Sequence, residues 1–176
     1  MKRISSHASH HDIENAIKIL ERFKKSILDK TEMLLTELAK EGVSVASVNF
    51  GQAQYDGDND VTVTFEQRGE SSVAVVATGN ATLFIEFGTG INYPGNHPVA
   101  DEIGMYHGEY GSKLGALPNG WRYKGNPGTN GVVITDGKHK GQVHTYGNPA
   151  NMSMYLSEKD IEQKFYEIVK RVFSSD

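Results

Sequence analysis

Phe84-Ile85-Glu86-Phe87-Gly88-Thr89-Gly90-Ile91 divides this chain of 176 residues into two parts of different character. The longest apolar run, residues 73–77, lies just upstream. A long stretch rich in glycine, tyrosine and asparagine follows. Residues 80–87 admit two periods. Leu83, Ile85 and Phe87 would share one strand face, whereas Leu83, Phe84 and Phe87 would share one helix face. Asn80 as a cap and Gly88 as a stop favour a short helix. Glu86 is the odd residue in this apolar setting. It is expected either to face solvent or to be hydrogen-bonded locally, because a buried unpaired carboxylate is costly. Gly88 or Gly90 is expected to take a backbone conformation closed to β-branched residues.

Upstream, residues 12 to about 41 read as one helix. Ile13, Ile17, Leu20, Ile27, Leu34 and Leu38 repeat at helical spacing, and Ala16, Phe23, Leu28 and Leu35 widen the stripe. Ser9 or Asp12 can cap its start, and Gly42 stands where a C′ glycine belongs. Glu14 with Lys18 and Glu21 with Lys25 are i,i+4 pairs in the favourable order. Such a helix spans roughly 43 Å and overhangs a small sheet. The overhang either stays exposed at one end or forms a subunit contact; the latter is the reading adopted. The period then changes to two. Val43, Val45, Val48 and Phe50 suggest a strand, Val61, Val63 and Phe65 a second, and residues 73–77 a third, central because it is apolar on both faces. The acidic turn Asp56-Gly57-Asp58-Asn59-Asp60 and a second turn at Arg68-Gly69-Glu70-Ser71 make these an antiparallel meander.

Downstream, residues 88–152 form a loop or hairpin insertion into one domain that spans residues 1–176. A structureless loop of this length usually marks function or disorder, and disorder is poor in aromatics. This one carries Tyr93, Tyr106, Tyr110, Trp121 and Tyr123, so it is expected to order against a partner. Residues 132–135 and 142–146 flank Asp136-Gly137-Lys138 as a possible hairpin. A last helix is expected from Ser157, with Asp160 completing a capping box and Ile161, Phe165, Ile168, Val169 and Val172 as its apolar face. The fold class is therefore α+β: a small antiparallel sheet of three or four strands, a long N-terminal helix, a C-terminal helix and a long Gly- and aromatic-rich insertion.

The phrase Ile-Glu-Phe-Gly-Thr-Gly, the order of elements around it and the later Gly147-Asn148-Pro149-Ala150-Asn151-Met152-Ser153-Met154 resemble the tail-completion or head–tail joining (neck) proteins of long-tailed bacteriophages. The resemblance implies a structural virion protein, made in the host cytoplasm, whose copies close into a ring, a hexamer by family analogy. Its partners would be itself and the neighbouring head or tail ring proteins, with DNA only as cargo in the channel. Phe84, Glu86, Phe87, Gly88, Thr89 and Gly90 would fix where the loop leaves the domain. Tyr93, Tyr106, Tyr110, Trp121, Tyr123, Pro149 and Met152 would be candidate assembly contacts. Two alternatives stand beside it: a cell-wall glycoside hydrolase, whose paired carboxylates would be spatial rather than sequential, and a non-viral binding or adaptor module.

Other chemistry finds little support. Gly88-Thr89-Gly90 lacks a third fingerprint glycine, since position 93 is Tyr93, and no Gly-Lys-Ser/Thr ending follows. Asp56, Asp58 and Asp60 resemble the start of a calcium loop, but Val61 and Gln67 stand where glycine and glutamate are needed, leaving an acidic hairpin tip. His7, His10 and His11 are helically spaced at an end expected to fray. His97, His107, His139 and His144, with Asp101, Glu102 and Glu109, show no ligand spacing. Neither a catalytic residue nor a metal or cofactor is expected. The chain has no cysteine, which excludes disulfides and thiolate chemistry and suits a reducing compartment. A net charge of −4 argues against a dedicated nucleic-acid binder. No signal peptide and no membrane span are expected, the N-terminus being basic without an apolar core.

Overall fold

The computed structural model describes residues 9–69, 71–89, 97–100, 102–105 and 119–174. Helix α1 (His10–Gly51) is followed by strands β1 (Thr62–Gln67) and β2 (Val73–Thr78) and a one-and-a-half-turn helix α2 (Thr82–Phe87). Strands β3 (Trp121–Tyr123), β4 (Val132–Val133) and β5 (Val143–Thr145) come next, and helix α3 (Ser153–Ser174) closes the order. The architecture is α+β with small antiparallel sheets.

Helix α1 starts at a full capping box. The Asp12 amide donates to Ser9 Oγ at 3.2 Å, and the Ser9 amide donates to Asp12 Oδ2 at 3.0 Å. The helix does not stop at Gly42. The strand expected over residues 43–50 is instead its last turns, and its buried residues Ala39, Gly42, Ala46 and Phe50 recur at spacings of three and four. Gly42 is a crossing point. A Cβ there would lie 2.8 Å from Ile161 Cδ1 and 2.9 Å from Val75 Cγ2, so any larger residue would force those side chains to shift. The hydroxyl of Ser157 donates to the Gly42 carbonyl at 2.8 Å. Ser157 is therefore no cap. The helix begins four residues earlier, and the two sequence signals of helix ends are the two halves of one helix–helix contact.

Helices α1 and α3 run antiparallel. Lys164 to Glu41 at 2.6 Å, Arg171 to Glu37 at 3.2 Å and Lys30 Nζ to the Phe173 carbonyl at 3.3 Å follow the Gly42 contact in order. Phe165, expected on the apolar face of α3, is 40% exposed. Because α3 ends near Lys30, residues 10–29 of α1 project beyond it, roughly 30 Å of helix at ~1.5 Å per residue. Every residue of that projection is exposed.

The expected three-stranded meander is a two-stranded ribbon. β1 pairs antiparallel with β2 from Thr62 opposite Thr78 to Gln67 opposite Val73. β2, expected to be central, pairs only with β1 among the described strands, and the strand expected over residues 43–50, which a meander would have placed beside β1, belongs to α1. The main core sits where α1, the ribbon and α2 meet: Ala46, Phe50, Ala81 and Ile85, ringed by Val61, Val63, Ala77 and Met154. The second sheet has the order β3-β5-β4, all antiparallel, so the expected hairpin is present and gains Trp121–Tyr123 as a third strand.

Candidate functional site

Two segments some sixty residues apart, 84–89 and 147–155, are bound into one junction. Its first support is Asp60. That carboxylate accepts the Asn80 amide at 2.8 Å, the Asn80 side-chain amide at 2.9 Å and the Ala81 amide at 2.9 Å, which sets the start of α2. Asn80 is thus not the cap. These bonds, the Ala81 amide first, hold the Asp60 carboxyl below the usual carboxylate range. Helix α2 ends at Gly88 with φ 74° and ψ 174°. A Cβ on Gly88 would lie 2.5 Å from the Ala150 nitrogen and 2.8 Å from the Asn148 oxygen, so glycine is required twice over, by conformation and by space.

Beyond Gly88, Thr89 and Asn148 form a two-bond antiparallel bridge, 2.8 Å from the Thr89 amide to the Asn148 carbonyl and 3.0 Å in return. The following amides continue onto α2. Asn151 donates to the Ile85 carbonyl at 2.8 Å and Met152 to the Glu86 carbonyl at 3.1 Å. These fill acceptors that the end of a helix leaves open. Met152, at φ 55°, is the residue at which the chain turns into α3. Pro149, half-buried, lies over Gly88, its carbonyl carbon 2.8 Å from where a Cβ would stand.

Glu86 completes the junction. It is neither solvent-facing nor locally bonded; it is only 4% exposed and its partners are distant in sequence. Oε2 accepts the Met154 amide at 2.8 Å, and Oε1 accepts the Tyr155 amide at 3.1 Å and lies 3.0 Å from His97 Nε2. The carboxylate therefore caps the first turn of α3 from another helix, where open amides and the helix dipole both favour negative charge. His97 Nδ1 accepts the Val99 amide at 3.3 Å, which leaves the ring proton on Nε2, directed at Glu86. The His97 ring packs on Phe87 at 4.5 Å and edge-on to Tyr155 at 5.6 Å. Phe87 and Ala100 form a small core beside it, with Phe84 and Met105 against them.

A second buried carboxylate ties in the other sheet. Asp56 accepts the Asn130 amide at 2.6 Å and the Thr145 hydroxyl, and its own amide donates to Asn148 Oδ1 at 2.8 Å. Residues 56–60, expected as an acidic hairpin tip, are therefore a structural hub. Between them the two carboxylates take the backbone amides of Asn80, Ala81 and Asn130. Trp121 and Tyr123, two apart on β3, line an open cleft of about 410 Å³ with Tyr55, Phe84, Arg122 and Lys124. Burial first, then the Asp56 carboxylate, pushes the Tyr123 phenol up to about 12, and its hydroxyl donates to the Asn126 carbonyl at 2.7 Å.

The junction unites Phe84, Glu86, Phe87, Gly88, Thr89, Pro149 and Met152. Trp121 and Tyr123 stand at its side. Gly90, Tyr93, Tyr106 and Tyr110 lie outside the described residues, as do His7, Asp101, His107 and Glu109. His97, Asp56, Asp60 and Asn148 are the members that sequence reasoning missed as parts of this junction. The one signal available was a glutamate inside an apolar helix, which demands either solvent or a partner and does not say which. Among the described residues no group of three or more His, Asp or Glu is placed to hold a metal, and no helix is long and apolar enough to cross a membrane. No family model, curated protein or solved structure matches the chain.

Proposed function

We propose that this chain is a structural virion protein of a tailed bacteriophage, a neck component that completes the tail or joins it to the head. It would act as one subunit of a closed homo-oligomeric ring. The observation that carries this reading is the junction itself. The two segments that resemble the neck family, read separately in the sequence, bind each other through backbone bonds at Thr89–Asn148 and through the Glu86 cap of α3.

The chemistry of the junction suits a mount rather than a reaction centre. Both oxygens of Glu86 and both of Asp56 accept hydrogen bonds from their own chain, and each carboxylate is buried. A general acid or base needs a lone pair or proton facing substrate, so these two carboxylates favour the structural reading over a glycoside hydrolase. What they do supply is rigidity, tying α2, the His97 segment and the start of α3 to one another and the β3-β5-β4 sheet to residues 56 and 148. In this reading the aromatic loop meets the next subunit or the adjoining ring, and DNA passes as cargo in the channel.

The test is negative-stain electron microscopy of the purified full chain, alone and mixed with phage tails or DNA-filled heads lacking their neck. Rings, or restoration of head–tail joining, are expected. Gly88→Val should lose both while costing roughly 1–3 kcal/mol of stability through backbone strain. A folded chain that forms no ring and binds neither heads nor tails would overturn the proposal.

A further inference from the structure

Strand β2 has one side paired and one side open. In an antiparallel pair, residues opposite each other alternate between hydrogen-bonded and non-bonded pairs. The Arg68 amide donates to the Ser72 carbonyl at 2.9 Å, which makes that pair a bonded one. The register then assigns the other bonded pairs to Glu66–Ala74, Thr64–Val76 and Thr62–Thr78. Val73, Val75 and Ala77 therefore aim their amides and carbonyls away from β1, where no described strand pairs with them. From Val73 to Ala77 this edge spans roughly 13 Å at ~3.3 Å per residue. A trough of about 540 Å³ runs along it. Across from β2 the trough is lined by the apolar side chains of Leu83, Phe87, Val99, Ile103, Met154 and Tyr155. Glu86 and His97 also reach it, but they are engaged with each other and with the amides of α3.

We infer that this trough takes one extended strand from a partner protein, an arm with apolar residues at alternate positions, added antiparallel beside β2. The open backbone groups are the first argument. A row of donors and acceptors at strand spacing is matched by another strand, not by a helix. The lining is the second. Val75 Cγ2 and Ile161 Cδ1 meet at the Gly42 crossing, and Ala77 packs on the Ile85 cluster with Met154, so Val75 and Ala77 face the helices. Residues of an added strand that lie opposite them face the same way, and the bonds to β2 come from those same residues. The third is what β2 lacks. The outer edge of β1 is guarded by Glu66, in an ion pair with Arg68 at 2.8 Å. β2 reads Val-Ala-Val-Val-Ala-Thr, with neither charge nor proline. The fourth is width. The trough lies between β2 and the lining opposite, which admits a lone strand, whereas β1 and β2 of another copy come joined as a ribbon. Glu158, exposed at the rim, makes no ion pair among the described residues, so the arm carries a basic residue there. The site belongs to a single subunit and does not depend on the neck reading.

The test uses the full chain and a fluorescent peptide that alternates valine with threonine and ends in lysine. Amide exchange followed by NMR should show Val73, Val75 and Ala77 exchanging at least about tenfold faster than Ala74 and Val76 in the free chain, and slowing to match them once the peptide is added. Methylating the valine amides of the peptide should weaken binding more than about tenfold, whereas methylating the threonine amides, which face away from β2, should leave it intact. Glu158→Lys should weaken binding roughly threefold while far-UV circular dichroism stays unchanged. A peptide that does not bind, or that binds equally well with either set of amides methylated, overturns the inference. So does slow exchange of Val73, Val75 and Ala77 in the free chain, which would mean that the chain itself or a second copy already covers the edge.

Discussion

Replacing Glu86 by alanine tests whether one carboxylate holds α2, α3 and the His97 segment together. The substitution removes the acceptor for the Met154 amide at 2.8 Å, the Tyr155 amide at 3.1 Å and His97 Nε2 at 3.0 Å. Each buried donor left without a partner costs about 1–3 kcal/mol, and loss of a helix cap costs about 1 kcal/mol. The three donors share one site and relax together, so the sum is not additive. A net loss of roughly 3–5 kcal/mol is expected, which for a chain of this length lowers the melting temperature by about 6–20 °C. Glu86→Gln keeps one acceptor and should lose about half as much. Urea unfolding followed by far-UV circular dichroism measures the change, with the exposed Glu167→Ala as a control expected to move stability by less than about 0.5 kcal/mol. A cycle with His97→Leu should show a coupling of at least about 1 kcal/mol, since the two side chains share a bond. If Glu86→Ala unfolds at the parent urea midpoint, the carboxylate is not the cap described above, and the junction is held by its backbone bridge alone.

Gly42→Ala should destabilise by roughly 1–2 kcal/mol, although alanine is the better helix former, because its methyl would press on Ile161 and Val75. Shortening the neighbour with Ile161→Val should return part of that loss, and thermal melts of the single and double variants decide the point. The Tyr123 phenol has a folded-state value raised to about 12 from an ordinary value near 10. The unfolded chain releases that proton first, so the contribution is intact below pH 10 and disappears as pH rises from about 10 to 12. Tyr123→Phe should flatten the alkaline limb of a stability–pH profile; an unchanged limb would show that the phenol is not held protonated by the fold.

Several elements were legible because their cause is local. The helix start at Ser9, the stripe from Ile13 to Leu38, the turn between β1 and β2, the α2 stop at Gly88 and the β4–β5 hairpin all arise from residues near one another in sequence. The errors also share one cause. Glycine and serine mark helix ends in isolated segments, yet here Gly42 and Ser157 meet 2.8 Å apart where two helices cross, each in mid-helix. Val43, Val45 and Val48 favour a strand by residue type, but burial of Ala39, Gly42, Ala46 and Phe50 on one face keeps them helical.

The junction could not be read in the same way. An acidic side chain in an apolar helix must either reach solvent or find donors, and the sequence alone left that choice open for Glu86. Which donors it finds depends on how the chain returns: two amides of α3 lie 68 and 69 residues away, and a histidine lies eleven residues away. Asp56 likewise finds Thr145 at a separation of 89 residues. Backbone amides look alike in every sequence, because each residue but proline carries one. Their availability is decided only when helices end and segments cross, so the sequence determined that a charged group could not stay buried alone, and the tertiary structure alone decided that it is buried and which donors it meets.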